Sequence, residues 1–484
     1  MSAWPVNPMV HEINTWVWLD ELSRTLGRRV TLADVPAEVW DDVARPGIDA
    51  VWLMGVWERS PRGARIARAD AVAAGRSDTD IVGSPYCIRR YTADPYFGGD
   101  LGLAMARVAL AHRDVKLVLD LVPNHVAPDH EWAVRRPELF VHATFEQARD
   151  DPGSCIEVQG HMLACGKDPY FPAWTDVVQL DATNPALRAA MAEQVLSIAE
   201  RCDAVRCDMA MLMLDDVFVR TWGSRAKVDR TDGRGYWPTI IEPVKNAFPD
   251  FQFWAEAYWD LERTLLAQGF DACYDKRLYD TLLHGGSAAD VRAHLQANGD
   301  ITDRMIRFVE NHDEPRAASL VSPERHRALL STVCTLPGVA LLHEGGAQGR
   351  RVRVPVALGR RPDEPVDHEL EAFVGRLSAA VGDDLRRGEW APATIAGWPD
   401  NRSNEQLLAW TWTLPDARFV VVVNLADQRA DGMLAAPWDD LTDEVTLVDR
   451  LSATQFERSG DEWTVHGLYV ALEAYAVHLF DVRM

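Results

Sequence analysis

The chain has 484 residues, of which 47% are apolar and 25% charged, and its formal net charge is -23 at pH 7. This composition is ordinary for a globular protein, and the length exceeds that of one average domain. The negative charge would repel nucleic acids and anionic membranes, so it argues against both as partners.

The 7 cysteines are an odd number and include no Cys-x-x-Cys pair, so they indicate neither a disulfide framework nor a zinc site. They favour free thiols in a reducing compartment. The chain does not open with a basic segment followed by an apolar one. The most apolar run, 328–342, is shorter than the roughly 20 residues of a membrane span. The sequence therefore predicts a cytoplasmic protein.

Taken in order, the apolar segments predict eight alternations of strand and helix. Helical periodicity separates most of the strands, as at 100–113 and 184–201. Eight such alternations favour a closed parallel barrel, the (β/α)8 TIM barrel. The predicted strands are 9–19, 48–54, 115–122, 203–208, 251–256, 270–274, 305–309 and 339–342.

Three segments depart from this alternation. Residues 58–99 are predicted to form a long polar loop, and the residues after 126 form an irregular insertion. After about residue 388 the pattern changes to short strands separated by turns, predicted at 406–413, 419–423, 444–447, 463–465 and 474–479. The expected domains are a barrel at 1–126 and 181–387, an inserted domain at 127–180 and a C-terminal β-sandwich at 388–484.

Polar residues recur at the predicted C-terminal ends of strands, where barrel enzymes carry their reactive groups. Arg206 and Asp208 share one face at the end of the fourth strand. An arginine can hold a carboxylate ionised and orient it for attack on an electron-poor carbon. Glu256 and Asp313 follow the fifth and seventh strands. A single acidic residue is more often an ion-pair partner or a helix cap, but three on one rim favour catalysis.

Four short motifs carry a resemblance to a known family. DLVPNH (120–125), VRCDMA (205–210), FWAEAYW (253–259) and FVENHDE (308–314) resemble the four short regions of the α-amylase family, glycoside hydrolase family 13. They occur in the family's order and on the corresponding strands. The resemblance extends from about residue 9 to the end of the chain, since the insertion at 127–180 matches the family's inserted B domain and the C-terminal β domain matches the family's C-terminal domain.

The resemblance implies a double displacement that retains the α configuration. Asp208 would be the nucleophile, held ionised by Arg206, and Glu256 the general acid and then the base. Two carboxyl groups with these roles should lie about 5–5.5 Å apart. Two tryptophans of the motif around Glu256 are expected to help raise its pKa by limiting solvation. Asp313 would bind sugar hydroxyls and distort the ring.

The resemblance also implies substrate-binding residues. His125 and His312 match histidines that bond the sugar at the cleavage point, and Asp120 matches an acidic residue that supports the same wall. Tyr86 resembles a tyrosine that stacks under that sugar, because an aromatic face suits the apolar face of a pyranose. A loop tyrosine packed on the barrel edge is an alternative for Tyr86. His-Glu-Gly-Gly at 343–346 has no assigned role.

The chain departs from the family pattern at one place. Many members carry Lys-His three and four residues after the nucleophile, where the histidine backbone helps to hold a structural calcium. This chain has Met211 and Leu212 there, and Asn124 alone does not make a site. The sequence therefore disfavours that calcium and predicts no metal site and no cofactor.

The prediction is a retaining glycosidase that hydrolyses α-glucosidic bonds in small α-glucosides or oligosaccharides. A transglycosylase, isomerase or phosphorylase of the same family is an alternative, because the choice depends on how the acceptor side excludes water. A non-catalytic carbohydrate-binding or scaffold protein on the same barrel is an alternative of another class, which the three carboxylates disfavour.

Overall fold

Eight parallel strands close into a barrel, which confirms the predicted TIM-barrel architecture. The computed structural model describes residues 3–74, 77–225, 234–382, 384–441 and 444–484. Each barrel strand pairs in parallel with its neighbours in chain order, and the first pairs with the eighth. The barrel strands are Met9–Asn14, Ala50–Met54, Lys116–Leu121, Ala204–Cys207, Gln252–Ala255, Ala272–Tyr274, Met305–Arg307 and Val339–His343.

Helices cover the outside of the barrel, so its strands are buried on both faces, as parallel sheets usually are. The first strand is shorter than the predicted 9–19, because the Asn14 side chain accepts a hydrogen bond from the Val17 N–H and so caps a helix. The longer helices that separate the barrel strands are Thr15–Leu26, Ala37–Val43, Pro61–Ala73, Gly99–Ala111, Pro185–Ala199, Asp215–Trp222, Tyr236–Ala247, Glu262–Ala267, Lys276–Leu283, Ala288–Ala297 and Pro323–Thr335. Ala317–Leu320 is a shorter helix, and His368–Val381 follows the eighth strand.

The segment 58–99 is not the unstructured loop that its polarity predicted. It contains the helix Pro61–Ala73, whose cap Ser60 accepts from the Gly63 N–H. The strands Trp57–Arg59 and Ile88–Ala93 pair antiparallel around it. Ser60-Pro61 is a typical helix start, but the segment contains few apolar residues and so lacks the periodicity by which helices were predicted.

The insertion after the third barrel strand carries a small antiparallel sheet and two short helices, Glu131–Arg135 and Phe145–Asp150. The strand that follows the third barrel strand pairs with the last strand of the insertion. That pairing holds the insertion at the C-terminal rim of the barrel. In spatial order the sheet consists of His125–Val126, Trp174–Gln179, His161–Gly166 and Cys155–Val158.

The C-terminal region forms two antiparallel sheets with a shared apolar core, as predicted for an all-β domain. One predicted strand, 463–465, is wrong. Those residues belong to the helix Gly460–His466, because Ser459 caps it and Asp461 and Glu462 lie in its first turn. The larger sheet contains Glu389–Pro392, Leu407–Thr413, Arg418–Asn424, Val477–Arg483, Glu444–Asp449 and Gln455–Ser459, and the smaller contains Ile395–Ala396, Ala430–Leu434 and Leu468–Leu472.

All seven cysteines are unpaired and buried. Within the described ranges, none of the helices combines the length and the apolar character that spanning a bilayer requires. The domain boundaries at 126, 180 and 387 stay predictions.

Candidate active site

A cavity of about 330 Å³ opens at the C-terminal ends of the barrel strands. It brings together five of the eight site residues that the sequence predicted: Tyr86, His125, Asp208, Glu256 and Asp313. Polar groups from several strand ends therefore converge on one space. The other lining residues are Ser84, Trp174, Asp176, Val177, Met209 and Tyr258.

Arg206 joins the three carboxylates of this cavity. Its Nη1 donates to Oδ1 of Asp208 at 2.7 Å, and its Nη2 lies 2.8 Å from Oε2 of Glu256. The same Nη2 is 3.9 Å from Oδ2 of Asp313. The guanidinium is 1% exposed, so water screens these interactions little. Arg206 therefore contacts both Asp208 and Glu256.

Glu256 is held through both of its carboxyl oxygens. The Tyr258 hydroxyl donates to Oε1 at 2.8 Å, and the Met209 N–H donates to Oε2 at 2.6 Å. Trp254 and Trp259, the tryptophans expected near this carboxyl group, pack against other aromatic rings at centroid distances of 5.4 and 5.0 Å. The aromatic residue that bonds directly to Glu256 is Tyr258.

Burial and neighbouring charges raise the pKa values of two carboxyl groups. Burial raises the pKa of Glu256 to about 7, with Arg206 opposing the rise and Asp208 and Asp313 adding to it. Burial also raises the pKa of Asp208, and Arg206 opposes it through charge and through its hydrogen bond. Glu256 is therefore divided between its protonated and ionised forms near pH 7.

His312 and Asp313 form an ion pair, of which Asp313 lines the cavity. His312 Nε2 lies 2.9 Å from Oδ2 of Asp313, and its Nδ1 lies 2.5 Å from Oε1 of Glu12. Although burial opposes it, these two carboxylates raise the pKa of His312 to about 10. Burial also opposes the change at Asp313, but His312 and Arg206 lower its pKa to about 2. Both groups are charged at neutral pH.

Tyr86 contacts this ion pair. Its hydroxyl lies 2.7 Å from His312 Nε2, and the Arg206 guanidinium carbon lies 5.3 Å from the centre of its ring. The phenol side chain is half-buried and lines the cavity. The contact with His312 places Tyr86 inside the site, so the alternative of an edge-packing loop residue is not what the structure shows.

His125 lies on the side of the cavity formed by the insertion. Its ring centroid is 5.2 Å from that of Trp174. Burial lowers the pKa of His125 to about 4, with the charge of Asp176 opposing the change. The imidazole is therefore neutral at pH 7, and a neutral imidazole can donate to one hydroxyl group and accept from another.

Asp120 does not line the cavity. Its Oδ1 accepts from Trp52 Nε1 at 3.1 Å and its Oδ2 from the Gly55 N–H at 2.6 Å. Burial raises its pKa to about 6, against the opposing charge of Arg206. With both oxygens occupied, Asp120 supports the wall rather than presenting a free carboxylate to a ligand.

The unpredicted residues of the site include Glu12, Trp174, Asp176 and Tyr258. Two of them had a local signal, because Glu12 is an acidic residue inside an apolar strand and Tyr258 follows Glu256 by two positions in the same motif. Trp174 and Asp176 had none. They reach the cavity because the last strand of the insertion pairs at the barrel rim.

At the position of the family's structural calcium, the side chains of Asn124, Met211 and Leu212 present a single oxygen atom. Asn124 Oδ1 accepts from Gln179 Nε2 at 2.9 Å, and Met211 and Leu212 are buried apolar side chains. Throughout the described part of the chain, no group of three or more His, Cys, Asp or Glu side chains is arranged to hold a metal ion. The residues present do not fit the calcium.

Comparison with known proteins gives distant relatives. No protein-family model matches the chain. It is 24% identical over 464 residues to the α-amylase MalA of Haloarcula japonica, an alignment that covers 90% of this chain and 58% of that protein. The chain spans about half the length of the curated relatives that it matches.

Solved structures share the fold along the whole chain. The maltogenic α-amylase AmyB of Thermotoga neapolitana superposes with a TM-score of 0.68 at 19% identity and 98% coverage of both chains. An α-amylase of Geobacillus thermoleovorans, in complex with acarbose, superposes with a TM-score of 0.70 at 17% identity and 100% coverage of both.

Proposed function

Because this chain belongs to the α-amylase family, we propose that it is a retaining glycosidase that hydrolyses α-glucosidic bonds in small α-glucosides or oligosaccharides. One observation carries the proposal. Asp208 and Glu256 line the same cavity and are both held by the guanidinium of Arg206. Double displacement at an anomeric carbon uses two carboxyl groups that flank one site, and this pairing supports it.

In the first step, Asp208 attacks the anomeric carbon and forms a glycosyl ester while the bond to the leaving oxygen breaks. Glu256 in its protonated form transfers its proton to that oxygen. A pKa of about 7 supports this role, since part of the protein then carries the proton at neutral pH. The Arg206 contact supports the ionised form of Asp208 that attack needs.

In the second step, ionised Glu256 removes a proton from water, and the resulting hydroxide attacks the anomeric carbon and releases Asp208. Two inversions give net retention of configuration. Ionised Asp313 would bind sugar hydroxyls, with the imidazolium of His312 fixing its position. Neutral His125 would bind hydroxyl groups of the same sugar, and the Tyr86 ring would cover its apolar face.

The buried, unpaired cysteines support the further proposal that the protein works in a reducing compartment such as the cytoplasm. The net charge of -23 supports an uncharged sugar rather than nucleic acid as the partner.

The experiment that tests the mechanism follows the product and the covalent intermediate. Maltose, trehalose, sucrose and soluble starch are incubated with the protein, with and without phosphate, and the first-formed anomer is recorded by NMR. A fluorinated glucosyl fluoride is then used to trap the ester, and the labelled peptide is identified by mass spectrometry.

We expect free glucose or short sugars of the α configuration, and a label on Asp208. Chain-lengthened products would show that the protein is a transglycosylase, and phosphorylated products would show that it is a phosphorylase, rather than a hydrolase. A β product, or a label on another residue, would overturn the assignment of Asp208. Binding of the sugars without turnover of any of them would favour the non-catalytic alternative.

A further inference from the structure

A second cavity, of about 200 Å³, lies between the first and eighth barrel strands and the helices outside them. None of its lining residues lines the candidate active site. His11 faces it from the first strand, and the unassigned residues 343–346 form part of its wall. Residues 343–345 and 347–350 are half-buried rather than fully buried, which leaves the cavity within reach of small solutes.

Fixed ion pairs form one side of this cavity. Arg350 Nη2 lies 2.7 Å from Glu21 Oε1, and Arg361 Nε lies 3.0 Å from Glu21 Oε2. Arg361 Nη2 is also 2.5 Å from Glu344 Oε2. These contacts neutralise the charges against each other and hold donors and acceptors in set positions.

Neutral imidazoles and an incompletely bonded carboxyl group form another side. Burial lowers the pKa values of His11 to about 3 and of His326 to about 4, so both are uncharged at neutral pH. The His326 side chain is 1% exposed, and its Nε2 has no hydrogen-bond partner among the described residues. Glu310 Oε1 lies 3.2 Å from Arg316 Nη1 but is not in hydrogen-bond geometry.

A buried polar atom without a partner is unfavourable by about 1–3 kcal/mol, and such atoms usually indicate a ligand or water. Trp18 adds a flat apolar face to the same cavity, with its ring held 5.4 Å from that of Trp40. The amide of Gln348 also lines the cavity. Its Nε2 donates to Glu371 Oε1 at 3.1 Å, and its oxygen and second N–H supply a further acceptor and donor. This mixture of an aromatic face and neutral or paired polar groups suits a molecule with both hydroxyl groups and apolar C–H faces.

We propose that this cavity is a binding site for a neutral, polyhydroxylated small molecule of monosaccharide size. Its volume is below the roughly 300 Å³ at the lower end of pockets for drug-sized ligands. The lining carries four carboxylates and three guanidinium groups, so it does not favour a free anion. The proposal is independent of catalysis at the barrel rim.

The test uses labelled glucose and equilibrium dialysis of the intact protein. Ala347→Phe places a ring in the cavity from a half-buried position, and Gln348→Leu replaces the amide by an apolar side chain of similar size. Ala189→Phe is the matched control, because Ala189 lines a different surface recess. Circular dichroism and turnover confirm that each variant is folded. A crystal soaked in glucose locates the bound sugar.

We expect saturable glucose binding that Ala347→Phe weakens by more than about tenfold and that Ala189→Phe leaves unchanged. Gln348→Leu should weaken it by a smaller factor. Glucose density should appear beside Trp18. Binding that is unaffected by Ala347→Phe, or that sulfate displaces, would overturn the proposal. If catalysis at the barrel rim were absent, the difference in glucose affinity between Ala347→Phe and Ala189→Phe would still test this cavity.

Discussion

The phenolic oxygen of Tyr258 lies 2.8 Å from Oε1 of Glu256 and donates a hydrogen bond to it. A donor to a carboxylate stabilises the ionised form and therefore lowers its pKa. Tyr258 thus moderates the pKa of a group that burial raises to about 7.

Replacing Tyr258 by Phe should move the alkaline limb of the kcat/KM profile to higher pH. In the proposed mechanism Glu256 must be protonated, so activity falls as pH rises through the pKa of Glu256. Loss of the Tyr258 donor raises that pKa. A hydrogen bond of about 1 kcal/mol corresponds to a shift of somewhat less than one pH unit. Tyr170→Phe, outside the cavity lining, is the control. A limb that stays in place, or moves to lower pH, would contradict this role.

Asp208→Asn and Glu256→Gln should each lower turnover while preserving the fold. Loss of a positioned acid or base reduces rates by about 10²–10⁴-fold, and loss of the nucleophile is expected to reduce them at least as much. Initial rates on maltose and circular dichroism measure the two effects. Glu369→Gln, an exposed change on the helix His368–Val381, should retain full activity. Wild-type turnover in either active-site variant is incompatible with the mechanism.

Arg206→Met should both inactivate and destabilise the protein. Removal of one partner from a buried ion pair destabilises by about 3–5 kcal/mol, because the remaining charges are left without compensation. Here the change leaves Asp208 and Glu256 without their shared cation. Their pKa values should rise, so the acid limb of the pH profile should move to higher pH in any residual activity. Thermal melting measures the stability, and an unchanged melting temperature would show that the pair is not structural.

Glu12→Gln should lower the pKa of His312 and flatten the alkaline dependence of stability. The pKa of His312 is about 10 in the folded protein, above its ordinary value of 6.5. Its contribution is complete below about pH 6.5 and is lost as pH rises towards 10. The melting temperature should therefore fall less between pH 7 and 9.5 in Glu12→Gln than in the wild type.

The size of this difference is roughly 1 kcal/mol for each unit by which the pKa of His312 decreases. Glu324→Gln, at the exposed start of the helix Pro323–Thr335, should behave as the wild type does. An equal decrease in melting temperature in the wild type, Glu12→Gln and Glu324→Gln would show that Glu12 does not hold the proton on His312.

A chelator should leave the melting temperature and the activity unchanged. The oxygen of Asn124 is already bonded to Gln179, and apolar side chains stand where many family members have Lys-His. Differential scanning calorimetry with and without EDTA measures the effect. A marked decrease that added calcium reverses would show a site formed by other residues.

Sequence patterns predicted those features that depend on residues close together in the chain. Alternation placed Arg206 and Asp208 on one face, and both side chains do meet. Local patterns failed where a cap outweighed the apolar pattern, as at Ser459, which starts a helix where a strand was predicted. They also missed Glu12, because its partner His312 lies 300 positions away in the chain.

The sequence by itself determined the barrel, because the spacing of apolar residues and the order of the helices and strands can be read along the chain. It also determined at which strand ends the polar residues lie, because parallel barrel strands end on one rim. Only the tertiary structure decided that Arg206 contacts both Asp208 and Glu256, that Tyr258 bonds Glu256 and that the insertion adds Trp174 to the cavity. Those contacts join distant segments, and their distances and degree of burial set the charge state of each group.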